Sequence, residues 1–178
     1  MPLPNPLPPR FTAGLAVTVR ADIAHPILKG GRQSVAAPAE GRLDATVRVD
    51  RQAGTLGVVA FPAVADRVET KLGRVRAEVV MRGLPAGTFD SPTGHAAFET
   101  TLDVRPDHFL ARDSVVALTL STDDRVEAGD DSVEGDPLDD GDDAVRLVGE
   151  GRFRGGTLDG GQITLVLDAR VVSVEERV

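Results

Sequence analysis

Apolar residues recur at every second position in one segment after another, and this period of two restricts most what the chain can become. Leu15, Val17, Val19 and Ala21 alternate with Ala16, Thr18, Arg20 and Asp22, while Leu43, Ala45, Val47 and Val49 alternate with Arg42, Asp44, Thr46 and Arg48. Val75, Ala77, Val79 and Met81 face away from Arg74, Arg76, Glu78 and Arg82. Downstream, Phe98, Thr100, Leu102 and Val104 form one face of a strand, Val116, Leu118 and Leu120 a face of the next, and Ile163, Leu165, Leu167 and Ala169 a face of the last. Such alternation sends one face to a core and the other to water, as antiparallel sheets do. The expected fold class is all-β, an antiparallel β-barrel or a β-sandwich.

Turn formers fall between the runs: Lys29-Gly30-Gly31, Gln52-Ala53-Gly54, Gly83 to Gly87, Ser91 to Gly94 and Arg105-Pro106-Asp107. Only Pro62 to Leu72 spaces its apolar residues (Ala63, Val64, Val68, Leu72) for a short helix, and alternation fits that stretch nearly as well. Val145 to Phe153 and Gln162 to Val174 read as a long hairpin around the glycine-flanked connection Gly155 to Gly161. Gly149 and Gly151 suit a sharp bend or close packing at a barrel corner. With 178 residues and no internal repeat, one domain is expected: a proline-rich arm at 1–9 and a β domain at 10–178 carrying an acidic loop at 121–143.

Composition removes whole chemistries. The chain has no cysteine, which excludes disulfides, thiolate metal sites and cysteine nucleophiles. It has no tyrosine or tryptophan and six phenylalanines, too few to stack single-stranded nucleic acid. Net charge is −8, yet Ser121 to Asp143 alone holds eleven acidic residues against one arginine, leaving the rest about +2. No nucleic-acid partner is expected from a near-neutral body. Nor is a membrane span, because no window approaches the roughly 18 apolar residues a crossing helix needs. Met1 to Pro9 lacks the basic cap and apolar run of a leader, so a cytoplasmic location is expected, with a processed secreted chain as the alternative.

Three histidines, His25, His95 and His108, are the candidates for proton transfer or metal binding, and no pair has helical ligand spacing. They lie in separate turns, either converging on one site or standing independently. No Gly-x-Ser-x-Gly elbow occurs, and neither Lys29-Gly30-Gly31 nor Gly149-Glu150-Gly151 has the spacing of a phosphate loop. In the acidic segment, Asp130, Asp131, Glu134 and Asp136 are candidate calcium ligands, although Gly141 stands where a bidentate glutamate belongs. The competing reading of that segment is a solvated loop. No cofactor is expected.

Asp22-Ile23-Ala24-His25, the run from Ala97 to Phe109 with its Phe98-Glu99-Thr100-Thr101 strand and Arg105-Pro106-Asp107-His108-Phe109 turn, and the stretch from Gly160 to Val171 resemble, in that order, segments of YceI-like lipid-binding proteins. The match covers about a fifth of the chain. Departures include His25 followed by Pro26 rather than serine, one residue inserted in the Arg-x-Asp-Phe turn, and few cavity aromatics. The resemblance implies a lipocalin-like barrel around a long isoprenoid or fatty chain. Independently, eight strands suffice to enclose one small ligand. The leading expectation is a non-enzymatic barrel binding an apolar small molecule such as a lipid or isoprenoid, with Val79, Met81, Phe98 and Leu102 as inward-facing ligand-binding residues. The alternatives are a structural or assembly module of a homo-oligomer and a small barrel cyclase or isomerase.

Overall fold

The computed structural model describes residues 7–36, 43–90, 92–122 and 144–176. The alternating runs become eleven strands: β1 (Arg10–Ala24), β2 (Arg32–Ala36), β3 (Leu43–Asp50), β4 (Thr55–Ala60), β5 (Val64–Thr70), β6 (Gly73–Arg82), β7 (Ala86–Phe89), β8 (Ala96–Asp107), β9 (Ser114–Ser121), β10 (Ala144–Arg152) and β11 (Gln162–Glu176). Every pairing is antiparallel. Among the described residues the only helical turn is a 3-10 turn at Lys29–Gly31, and no helix is long and apolar enough to cross a membrane.

The register shows that eleven strands are eight. One edge of β1 carries β3 along its first half, from Arg10↔Asp50 to Val17↔Leu43, and β2 along its second, from Arg20↔Ala36 to Ala24↔Arg32. One edge of β8 likewise carries β7 and then β6. Between these, β4 pairs with β7 up to Gly57↔Ala86 and β5 resumes with β6 at Val64↔Val79, seven residues further on both sides, so the register is continuous across the gap. The pairs β2/β3, β4/β5 and β6/β7 are therefore long strands, each interrupted once. Each of the eight resulting strands follows its predecessor around the wall, β9 pairs with β8 and β10, and β11 closes on β1. This is a closed up-and-down barrel, which decides between the barrel and the sandwich.

The interruptions have local causes. Pro62 and Pro85 have no N–H to give a ladder, and Gly83 turns the chain at φ 74°. Pro62 to Leu72 is not a helix. Val64 and Val68, four apart, satisfy both periods, and the ladder with β6 selects the strand, with both valines inside the barrel.

Inward faces make one continuous core, including Val17, Val19, Ala21 and Ile23 of β1, Phe98, Leu102 and Val104 of β8, and Ile163, Leu165 and Leu167 of β11. Burying one such large side chain is worth about 1.5–3 kcal/mol. Where β9 folds across β10 the wall turns a corner, and a Cβ at Gly149 would lie 2.6 Å from Thr119 O, one at Gly151 2.5 Å from Val116 Cγ2. Glycine is thus the condition for that close approach. Connections fall at two ends. The turns at 25–31, 71–72, 108–113 and 153–161 share one, here termed the lysine end because it holds Lys29 and Lys71. The opposite end has the β3–β4 and β7–β8 turns, and β9 leaves from it into residues 123–143.

Candidate functional site

At the lysine end, the β10–β11 connection folds inward. Phe153 and Leu158 are buried, and Leu158 N–H donates to Ser114 Oγ at 2.9 Å, itself fully buried. Arg112 N–H donates to Thr157 Oγ1 at 2.8 Å and Thr157 N–H to Arg112 O at 3.1 Å. Gly156 is required twice over, by a φ of 67° and because a Cβ there would lie 2.0 Å from Asp113 O. The loop is therefore strapped to the start of β9 and forms a plug. On the other side of the opening, Lys71 N–H donates to Ile27 O at 2.9 Å and Leu28 bridges Thr70, joining the β1–β2 and β5–β6 turns.

Beneath the plug lies a cavity of about 50 Å³ lined by Ile23, Leu28, Val68, Val75, Ala77 and Val104, with Leu158 over it and Leu72 and His108 at its mouth. The walls are almost wholly apolar, and His108 is the one ionisable group among them. Since a water occupies about 30 Å³ of liquid, the space admits one or two methyl-sized groups. A drug-sized ligand needs about 300 Å³ or more. The cavity is therefore smaller than a finished pocket for such a ligand.

Val79, Met81, Phe98 and Leu102 lie outside this lining. All four face inward, with Met81 opposite Leu102 and Val79 opposite Val104. On β6, Val79 is the next inward residue after Ala77, and on β8, Leu102 is the next after Val104. Val79 and Leu102 form the packed layer beneath the cavity with Met81 opposite Leu102, while Phe98 lies further along β8, paired with Gly87 towards the opposite end. The lining itself escaped sequence reading in part because Leu28 and Leu158 belong to turns, where alternation gives no face.

The histidines do not converge. His25 and His108 sit at the lysine end, each accepting a backbone N–H in its own turn, from Ile27 at 3.1 Å and Leu110 at 3.2 Å. His95 is at the opposite end, 3.0 Å from Thr122 Oγ1. No group of three acidic or histidine side chains able to hold a metal occurs among the described residues. Asp130, Asp131, Glu134 and Asp136 lie outside them.

A wider surface concavity of about 430 Å³ at the opposite end is lined by Arg10, Arg48 and Asp50 among others. There Arg10 Nε donates to Asp50 Oδ2 at 2.8 Å. The Asp50 carboxyl is held below the ordinary carboxylate value, first by Ala53 N–H at 2.9 Å and then by Arg10. On the outer face of β8, Arg82 grips Asp103 with two bonds, of 2.7 and 3.2 Å. These are fastenings of the wall.

Compared with protein-family models, curated proteins and solved structures, the chain matches none. What defines it is the eight-stranded barrel with an apolar cavity at the lysine end.

Proposed function

We infer that the protein is a non-enzymatic carrier that takes one apolar chain, such as a fatty acyl or isoprenoid tail, through the lysine end of its barrel. The observation that carries this reading is the apolar cavity under the plug, whose walls offer an entering chain no carboxylate and no lysine or arginine. An eight-stranded barrel is the size that holds one small ligand. The fragments similar to YceI-like proteins point the same way, since two of them, Asp22 to His25 and Arg105 to Phe109, border this entrance. A tail longer than the cavity enters by displacing Leu158 and spreading the layers of Val79, Met81 and Leu102, so these three become ligand contacts in the loaded protein, while Phe98, on the ladder row of Leu56, lies beyond its reach.

Native mass spectrometry after incubation with a mixture of long-chain fatty acids and isoprenoid alcohols tests the reading. One chain per protein is expected. Ala77→Leu, which fills the cavity from its wall, is expected to abolish the adduct while far-ultraviolet circular dichroism stays unchanged. A wild-type protein that takes up no chain, or an adduct that survives in a folded Ala77→Leu variant, overturns it.

A further inference from the structure

We propose that the lysine end of the barrel docks onto an anionic lipid surface. Three of the five large apolar side chains that stand exposed among the described residues belong to its turns: Leu72, Phe109 and Leu110, at 61%, 88% and 66% exposure. Leu72 and His108 line the mouth of the cavity, and the His108 ring stacks on Phe109 with centroids 4.9 Å apart. The apolar tips therefore gather around one opening.

Cations stand among them. Lys29 and Lys71, the two lysines of the chain, occupy turns tied together by the Lys71 N–H to Ile27 O bond, and Arg112 and Arg154 belong to the remaining two connections of that end. Asp113 and Asp159 are the acids of the same four turns, which leaves an excess of positive charge. Protruding apolar side chains beside cations are the two signals that together hold a protein at an anionic bilayer interface, each being weak alone. A protein partner is the poorer fit, because a stable interface buries about 800 Å² on each side and only two turns carry the exposed apolar side chains.

The net charge of −8 does not oppose this at physiological salt. The excess of acid lies in the sequence at 123–143, with eleven acidic residues against one arginine, and the strands that flank it, β9 and β10, end and begin at the opposite end. The twelve residues of β8 extend about 40 Å at about 3.3 Å each. With the tilt of a closed barrel the two ends stand about 30 Å apart, against a Debye length of about 10 Å at 0.1 M salt. The docking surface senses its own cations and is screened from charges at the opposite end of the barrel. The proposal rests on the carrier reading for its purpose, the transfer of a chain between bilayer and cavity, and its test separates the two.

Co-sedimentation with vesicles of phosphatidylcholine alone, or with 30% phosphatidylglycerol, is the experiment, at about 0.1 M salt. Binding is expected to the anionic vesicles and to fall at least tenfold when salt is raised to about 0.5 M. The exposed double variant Phe109→Ser/Leu110→Ser, and separately Lys29→Glu/Lys71→Glu, are each expected to lose binding tenfold or more, while Val145→Ser, an exposed apolar residue elsewhere, leaves it unchanged. In the carrier assay Phe109→Ser/Leu110→Ser still takes up a chain and Ala77→Leu does not, whereas Ala77→Leu still binds vesicles. No binding of the wild type to anionic vesicles, or binding by either double variant equal to that of the wild type, overturns the docking whatever the carrier assay shows.

Discussion

Ser114 and Leu158, forty-four positions apart, meet inside the barrel, where the serine hydroxyl accepts the leucine N–H at 2.9 Å. This bond seats the plug. Ser114→Ala leaves that N–H buried without a partner, at a cost of about 1–3 kcal/mol. For a chain of this length each kcal/mol is worth about 2–4 °C, so a fall of several degrees in Tm is expected, with faster amide exchange at Leu158. An unchanged Tm and unchanged exchange would show that the plug is held by packing alone.

The corner between β9 and β10 is a matter of space. Gly149→Ala places a methyl 2.6 Å from Thr119 O, and backbone must move, at a cost of about 1–3 kcal/mol. Gly57→Ala is the control, since nothing lies within 4 Å of a Cβ there. Its loss of backbone freedom in the unfolded chain is expected to stabilise by about 0.4–1 kcal/mol. Thermal melts are expected to move in opposite directions, and a matched response would contradict the close approach.

Thr100 faces the interior from β8 between Phe98 and Leu102, and its Oγ1 is a buried side-chain oxygen with no hydrogen-bond partner. An unpaired buried hydroxyl costs about 1–3 kcal/mol. Thr100→Val keeps the shape and removes the hydroxyl, so chemical denaturation is expected to show higher stability with an unchanged m-value. Lower stability would mean that a water or a ligand oxygen normally meets the hydroxyl.

Among the described residues, Asp50 is the acid whose pKa is shifted. Its folded-state pKa lies below the ordinary 3.8, so its contribution is present above the unfolded value and is lost as pH falls through the folded one. Carboxyl NMR titration is expected to place the midpoint below 3.8. Arg10→Ala raises that midpoint without restoring it, because Ala53 N–H is the larger cause. A midpoint at the ordinary value in the intact protein would contradict the turn geometry.

The strands were legible where one face meets the core and the other meets water along an unbroken run, as in β1, β8 and β11. Closure was not, because alternation is the same in a barrel and a sandwich and only pairing between distant strands separates them. Pro62 and Pro85 read as boundaries when they are interruptions within long strands, since a proline marks a missing N–H without saying that the register resumes beyond it. The expectation that Val79, Met81, Phe98 and Leu102 face inward came from periodicity and holds. The position of the cavity was out of reach, because it depends on Leu28 and Leu158 being brought by turns over the ends of β1, β5, β6 and β8.

Methyl NMR during titration with a long-chain fatty acid tests the central claim most directly. Methyl resonances of Ile23, Val104 and Leu158 are predicted to shift and saturate at one equivalent, those of Val79 and Leu102 to follow as the layers beneath open, and those of Val49 and Leu56, at the opposite end, to stay in place. Silence at the lysine end, or shifts centred on Val49 and Leu56, would contradict an apolar chain entering beneath the Leu158 plug.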